Sequence, residues 1–190
     1  MSIGQILLSR NLDPCGLRRR CIFVAVQRIY LVGFMGAGKS TVGLELSLKL
    51  QYPFLDLDRE IEEAEGLPVR EIFRRFGEPR FRQLEQEHLK RVSKTPQAVI
   101  ALGGGAYVDS ENRRIVDETG VAVWLDASFS GIRERVRHDG TRPLLENAEQ
   151  AQRLYAERLP AYKLARIHVL TDNRLPDEIA EEIVQRVITP

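Results

Sequence analysis

From Arg28 onward the chain alternates between short apolar runs and longer stretches whose apolar positions recur every three or four residues. The short runs, Ile29–Val32, Phe54–Asp56, Ala98–Leu102, Val121–Leu125 and His168–Leu170, read as strands. Their near-continuous apolarity suits strands covered on both faces, as in a parallel sheet. Between them the helical spacing predicts helices over Lys39–Leu50, Val69–Phe76, Arg80–Val92, Glu111–Glu118, Phe129–Arg137, Glu149–Ala165 and Asp177–Val187. Pro68 and Pro176 stand immediately before two of these, where a missing N–H costs nothing. Strands alternating with helices predict an α/β fold, a five-stranded parallel sheet with helices on both faces. One stretch, 138–147, breaks the pattern: it is polar, interrupted by Gly140 and Pro143, and contains Arg142, so it reads as a mobile lid loop.

Composition changes this picture little. At 190 residues and 43% hydrophobic content the chain suffices for one core and one domain, expected to span residues 28–190. The charges nearly cancel, with 28 Lys and Arg against 27 Asp and Glu, so no global basic field points to nucleic acid. The first 27 residues differ: Arg10, Arg18, Arg19 and Arg20 face a single Asp13. That segment reads as a disordered extension or a start-site artefact, with an organelle transit peptide as the alternative. Cys15 and Cys21 are too few for a disulfide scaffold and lack a zinc-ligand spacing. No apolar run approaches the roughly 20 residues that span a bilayer. The expectation is a cytoplasmic monomer whose partners are small molecules, with neither nucleic acid nor membrane among them.

The segment Gly33-Phe34-Met35-Gly36-Ala37-Gly38-Lys39-Ser40 has the spacing of a phosphate-binding loop, glycine, four residues, then glycine, lysine and a hydroxyl residue. A predicted strand runs into it and a predicted helix runs out. The glycines let successive N–H groups of Gly36, Ala37 and Gly38 point at phosphate oxygens, and the helix N-terminus adds its positive end. Lys39 then reaches the outer phosphates, Ser40 offers a hydroxyl to magnesium, and Thr41 an inner phosphate contact. The loop alone does not choose between a switch, a motor and a kinase.

Asp56-Leu57-Asp58 follows the second strand, and its period of two projects both carboxylates from one side of an extended strand end. That suits one carboxylate for magnesium and one for a substrate hydroxyl; a strand-to-helix turn with Asp58 as helix cap is the alternative. Three glycines, Gly103, Gly104 and Gly105, follow the third strand and leave room for a ligand against the backbone, or form a plain turn. Arg82 and Arg158 suit a two-pronged grip on an anionic acceptor, although singly each also suits an ordinary surface.

Together these segments resemble the shikimate kinase family. The matches run in order as GFMGAGKST (33–41), FLDLD (54–58), FRQLE (81–85), LGGGA (102–106), TRPLL (141–145), ERLPAY (157–162) and TDNR (171–174), covering essentially 28–187. The resemblance implies a P-loop kinase fold and transfer of phosphate from ATP to the 3-hydroxyl of shikimate, assisted by Mg2+. It also implies roles: Asp58 as or beside the base for the acceptor hydroxyl, Asp56 assisting magnesium with Ser40, and Arg82 and Arg158 clamping the carboxylate beside Gly104 and Gly105. Glu85 would hold Arg82, being three residues further on the same helix face. Arg142 would close over the phosphates with Lys39, Arg174 would lie near the adenine, and Arg137 is a further candidate there. Two alternatives stand beside this reading, a kinase for another hydroxy acid such as gluconate and a ligand-sensing module without turnover. Tyr155, Tyr162 and Trp124 are expected to pack, and the three histidines carry no expected role.

Overall fold

The computed structural model describes residues 28–137 and 148–188. Five strands, β1 (Arg28–Val32), β2 (Phe54–Asp56), β3 (Ala98–Ala101), β4 (Val121–Asp126) and β5 (Ile167–Leu170), form one sheet in the order β2-β3-β1-β4-β5. Every pairing is parallel. The chain runs from β1 out to one edge at β2, returns to β3 beside β1, then crosses to the far side for β4 and β5. The crevice at such a reversal, beyond the carboxyl ends of the strands, is where open α/β sheets hold ligands.

Among the described residues seven α-helices flank the sheet: α1 (Lys39–Leu50), α2 (Leu57–Glu65), α3 (Val69–Val92), α4 (Ser110–Thr119), α5 (Phe129–Arg137), α6 (Ala148–Tyr162) and α7 (Pro176–Ile188). Helix α1 packs against α7, and α2 against α3. All of β1 and β3 is buried, as the unbroken apolar runs require, and core side chains such as Leu46 and Ile100 are fully excluded from water. Burial of one such side chain stabilises the fold by about 1.5–3 kcal/mol. Among the described residues no helix is long and apolar enough to cross a membrane.

Three elements depart from the expected pattern. Helix α2 was not among the predicted helices, although a strand-to-helix turn stood as the alternative there: its Leu57 and Ile61 are buried while acidic residues surround them, and Gly66 ends it in the left-handed region at φ 65°. Asp56 and Asp58 therefore do not project from one extended strand end. Asp58 lies in the first turn of α2, and Asp56 is the cap, its Oδ1 accepting the Asp58 N–H at 3.2 Å. The two helices expected between residues 69 and 92 form one run bent at Gly77, whose φ of 78° and ψ of 170° are not helical, next to Pro79. Helix α6 stops at Tyr162 rather than Ala165, because the chain tightens there, with Ala165 N–H donating to Tyr162 O at 3.0 Å, to enter β5.

Strand register sets the site. Leu31 and Asp56 both pair with Ala101, and the Leu102 N–H donates to Leu31 O at 3.0 Å. The segments after β1, β2 and β3 consequently leave the sheet side by side. These are the phosphate loop, the start of α2 and the triple-glycine turn.

Candidate active site

The phosphate loop owes its shape to two glycines in particular. Gly38 caps α1 at φ 93°, and at Gly33, with φ 143°, a side-chain carbon would lie 2.9 Å from Leu125 O. The loop opens onto a cleft of about 420 Å³ bordered by Gly36, Gly38, Lys39, Ser40, Thr41, Asp56, Asp58 and Gly104. Lys39 Nζ donates to Gly33 O at 2.9 Å and Phe34 O at 3.0 Å, holding a cation at the loop's own rim. Ser40 Oγ donates to Asp56 Oδ2 at 2.8 Å, so the hydroxyl and a carboxylate meet where α1 begins.

The triple-glycine turn is a meeting point of charged side chains. A carbon added at Gly103 would lie 2.6 Å from Asp58 Oδ1 and 2.9 Å from Glu85 Oε1, at Gly105 it would lie 2.5 Å from Arg82 Nη1, and at Gly104 3.2 Å from Arg158 Nη1. Four charged side chains from α2, α3 and α6 thus converge on three residues that have no side chains to fend them off. Gly104 also abuts the phosphate loop, since the same added carbon would lie 3.5 Å from Met35 N. The triple-glycine turn and the phosphate loop share this wall.

Glu85 is 1% exposed. One of its oxygens accepts from Arg82 Nη1, which is also paired through Nη2 with Glu78 at 2.8 Å, while Oε1 has no hydrogen-bond partner among the described residues. Burial pushes the Glu85 carboxyl up to about 7, with Arg82 pulling it down and Asp58 adding to the rise. Arg82 is about a third exposed, so its countering effect is partly screened by water, and the upward shift wins. Tyr162, 1% exposed, donates its hydroxyl to Gly104 O and so braces the turn from behind. Burial pushes that phenol up to about 12, which keeps it a donor.

Residues 35–188 match the profile of the shikimate kinase family. The chain belongs to the shikimate kinase family. A shikimate kinase from Persephonella marina is 42% identical over 163 residues, covering 85% of this chain and 99% of that one. One from Sulfurihydrogenibium sp. is 39% identical over 163 residues, covering 85% of this chain and 98% of its own length. Among solved structures, shikimate kinase from Acinetobacter baumannii in complex with shikimate superposes with a TM-score of 0.80 at 34% identity, covering 86% of this chain and 94% of that one.

In this member of the shikimate kinase family the fold brings together most of the residues singled out from sequence. Lys39, Ser40, Thr41, Asp56, Asp58 and Gly104 border one cleft, and Arg82, Glu85, Gly105 and Arg158 adjoin it through the triple-glycine turn. Arg174 is held elsewhere: it donates to Leu170 O at 2.9 Å and pairs with Glu182 of α7. Arg142, the side chain of Arg137, and the segment 1–27 lie outside the described residues.

Two residues escaped the sequence. Arg135 of α5 borders the cleft, its Nη2 donating to Thr171 O at 2.6 Å and pairing with Asp172 at 3.4 Å. Helix phase was the available signal, because Ile132, three residues earlier, is fully buried, which turns residue 135 toward the protein body. Tyr162 was expected only to pack; its hydroxyl bond to Gly104 O depends on a chain reversal of 58 residues that no local pattern announces.

Proposed function

We propose that this chain transfers the γ-phosphoryl group of ATP to the 3-hydroxyl of shikimate, giving ADP and shikimate 3-phosphate. The observation that carries the reading is the triple-glycine turn: it gathers Asp58, Arg82, Glu85 and Arg158 against the wall of the phosphate-loop cleft. In this assignment the N–H groups of Gly36, Ala37 and Gly38 and the start of α1 hold phosphate oxygens, with Thr41 on an inner phosphate. Lys39, released from Gly33 O and Phe34 O, follows the β- and γ-phosphates. Arg82 and Arg158 grip the acceptor carboxylate beside the backbone of Gly104 and Gly105. That grip turns the acceptor's hydroxyl toward Asp58, which accepts its proton as the oxygen attacks the γ-phosphorus. Alignment and charge neutralisation make up nearly all of the catalysis such a transfer needs.

Arg135 supports the nucleotide from α5, and Arg174 is assigned to the adenine side and Arg142 to the transferring phosphoryl group by family resemblance. Magnesium suits the oxygen pair formed by Ser40 and Asp56. Ser40 Oγ and Asp56 Oδ2 lie 2.8 Å apart, and a cation bound through substrate phosphates would need few protein ligands beyond such a pair. Bound there, the ion supplies positive charge to the phosphate oxygens.

A coupled ADP-release assay with shikimate, quinate and gluconate offered separately tests the reading. Release is expected with shikimate only. Release with gluconate only would overturn the acceptor while leaving the donor half intact.

A further inference from the structure

Phe34 fills one of the four positions that the phosphate-loop spacing leaves open. Phe34 is 1% exposed, and two side chains of α6 meet its ring. The Tyr155 ring meets it edge-on, 5.4 Å away at 83°, and the Arg158 guanidinium carbon stands 5.9 Å from its centroid. Tyr155 is itself fixed, by the Phe129 ring at 5.7 Å and by donating its hydroxyl to Ala127 O at 3.0 Å.

The two arginines of the acceptor grip are seated differently. Glu78 and Glu85 hold Arg82, whereas among the described residues no carboxylate forms an ion pair with Arg158. Arg158 Nη1 lies 3.2 Å from the point an added carbon at Gly104 would occupy, its guanidinium carbon stands 5.9 Å from the Phe34 ring centroid, and the Tyr162 side chain also interacts with it. An aromatic face orients a guanidinium without neutralising it.

We propose that Phe34 is a positioning residue of the acceptor site: from within the phosphate loop its ring seats Arg158 and leaves that cation's charge for the acceptor carboxylate. The inference rests on the assignment of shikimate as acceptor. The open position of a donor motif then tunes affinity for the other substrate. Leucine or methionine at 34 keeps the apolar contact with Tyr155 and loses the ring; tyrosine keeps the ring.

The test is titration of the full chain with shikimate and, separately, with ATP. The readout is fluorescence of Trp124, the chain's one tryptophan, whose ring lies 6.3 Å from that of Tyr162 and whose Cδ1 lies 3.5 Å from the added-carbon point at Gly33. Phe34→Leu and Phe34→Met are expected to weaken shikimate binding roughly 3- to 20-fold, the range a ring–cation contact contributes, with ATP affinity within about twofold. Phe34→Tyr should bind shikimate like the original chain. In an Arg158→Met background Phe34→Leu should add no further loss. Equal weakening of both ligands, or losses from Phe34→Leu and Arg158→Met that multiply, would overturn the proposal. If the unaltered chain binds ATP but not shikimate, the acceptor assignment fails instead.

Discussion

Glu85 is pulled two ways: it must be charged to hold Arg82, and it is almost wholly buried. Burial raises its carboxyl from the ordinary 4.5 to about 7. A raised acid keeps its proton longer in the folded chain than in the unfolded one. Its stabilising contribution is therefore complete below about pH 4.5 and fades as pH rises toward 7, by roughly 3 kcal/mol. Urea unfolding of the original chain should lose stability across that window relative to Glu85→Gln, which has no proton to release. Around its folded value of about 7 the carboxyl becomes ionised and steadies Arg82, so the KM for shikimate should fall between pH 6 and 8 in the original chain and stay level in Glu85→Gln. Parallel curves in both measurements would show that Glu85 does not titrate there. The Arg82–Glu85 contact was legible from a three-residue spacing on one helix. The depth of Glu85 was not, since it depends on the triple-glycine turn folding over it from another strand.

At the scale of elements, the strands and the phosphate loop were readable because each announces itself locally, by an apolar run or by a glycine spacing. Helix α2 was missed because Asp56-Leu57-Asp58 also fits strand alternation. The signals that decide for a helix, Leu57 with Ile61 and the closing Gly66, lie further along. Two glycine substitutions separate what elements do for the site from what they do for the fold. In Gly105→Ala the new methyl meets the guanidinium tip of Arg82 at 2.5 Å, so that group must swing aside. Shikimate KM should rise at least about tenfold with the unfolding midpoint nearly unchanged, by analogy with losing one arm of a charged grip. In Gly43→Ala the methyl meets the packed Phe54 ring at 2.3 Å, between α1 and β2. Overpacking there costs about 1–3 kcal/mol, more than the gain in helix propensity, and should lower Tm by several degrees without moving either KM. The reverse pattern, a stability loss at Gly105 and a KM change at Gly43, would place the acceptor grip elsewhere.

Across the whole molecule, strand order decides which motifs become neighbours. Apolar runs gave no strand order, yet the parallel register of β2, β3 and β1 places Asp56, the triple-glycine turn and the phosphate loop in adjacent positions at one end of the sheet. Motifs scattered over about 120 residues, from Lys39 to Arg158, thereby form two half-sites that meet at Gly104. That junction suits direct passage of phosphate from nucleotide to acceptor. The most direct measurement is phosphorus–proton correlation NMR of the product formed by the chain from ATP, Mg2+ and shikimate. A single new phosphate monoester coupled to the proton on carbon 3 of shikimate is expected, in step with the ADP formed. ADP accompanied by inorganic phosphate alone, or an ester at another carbon, would contradict it.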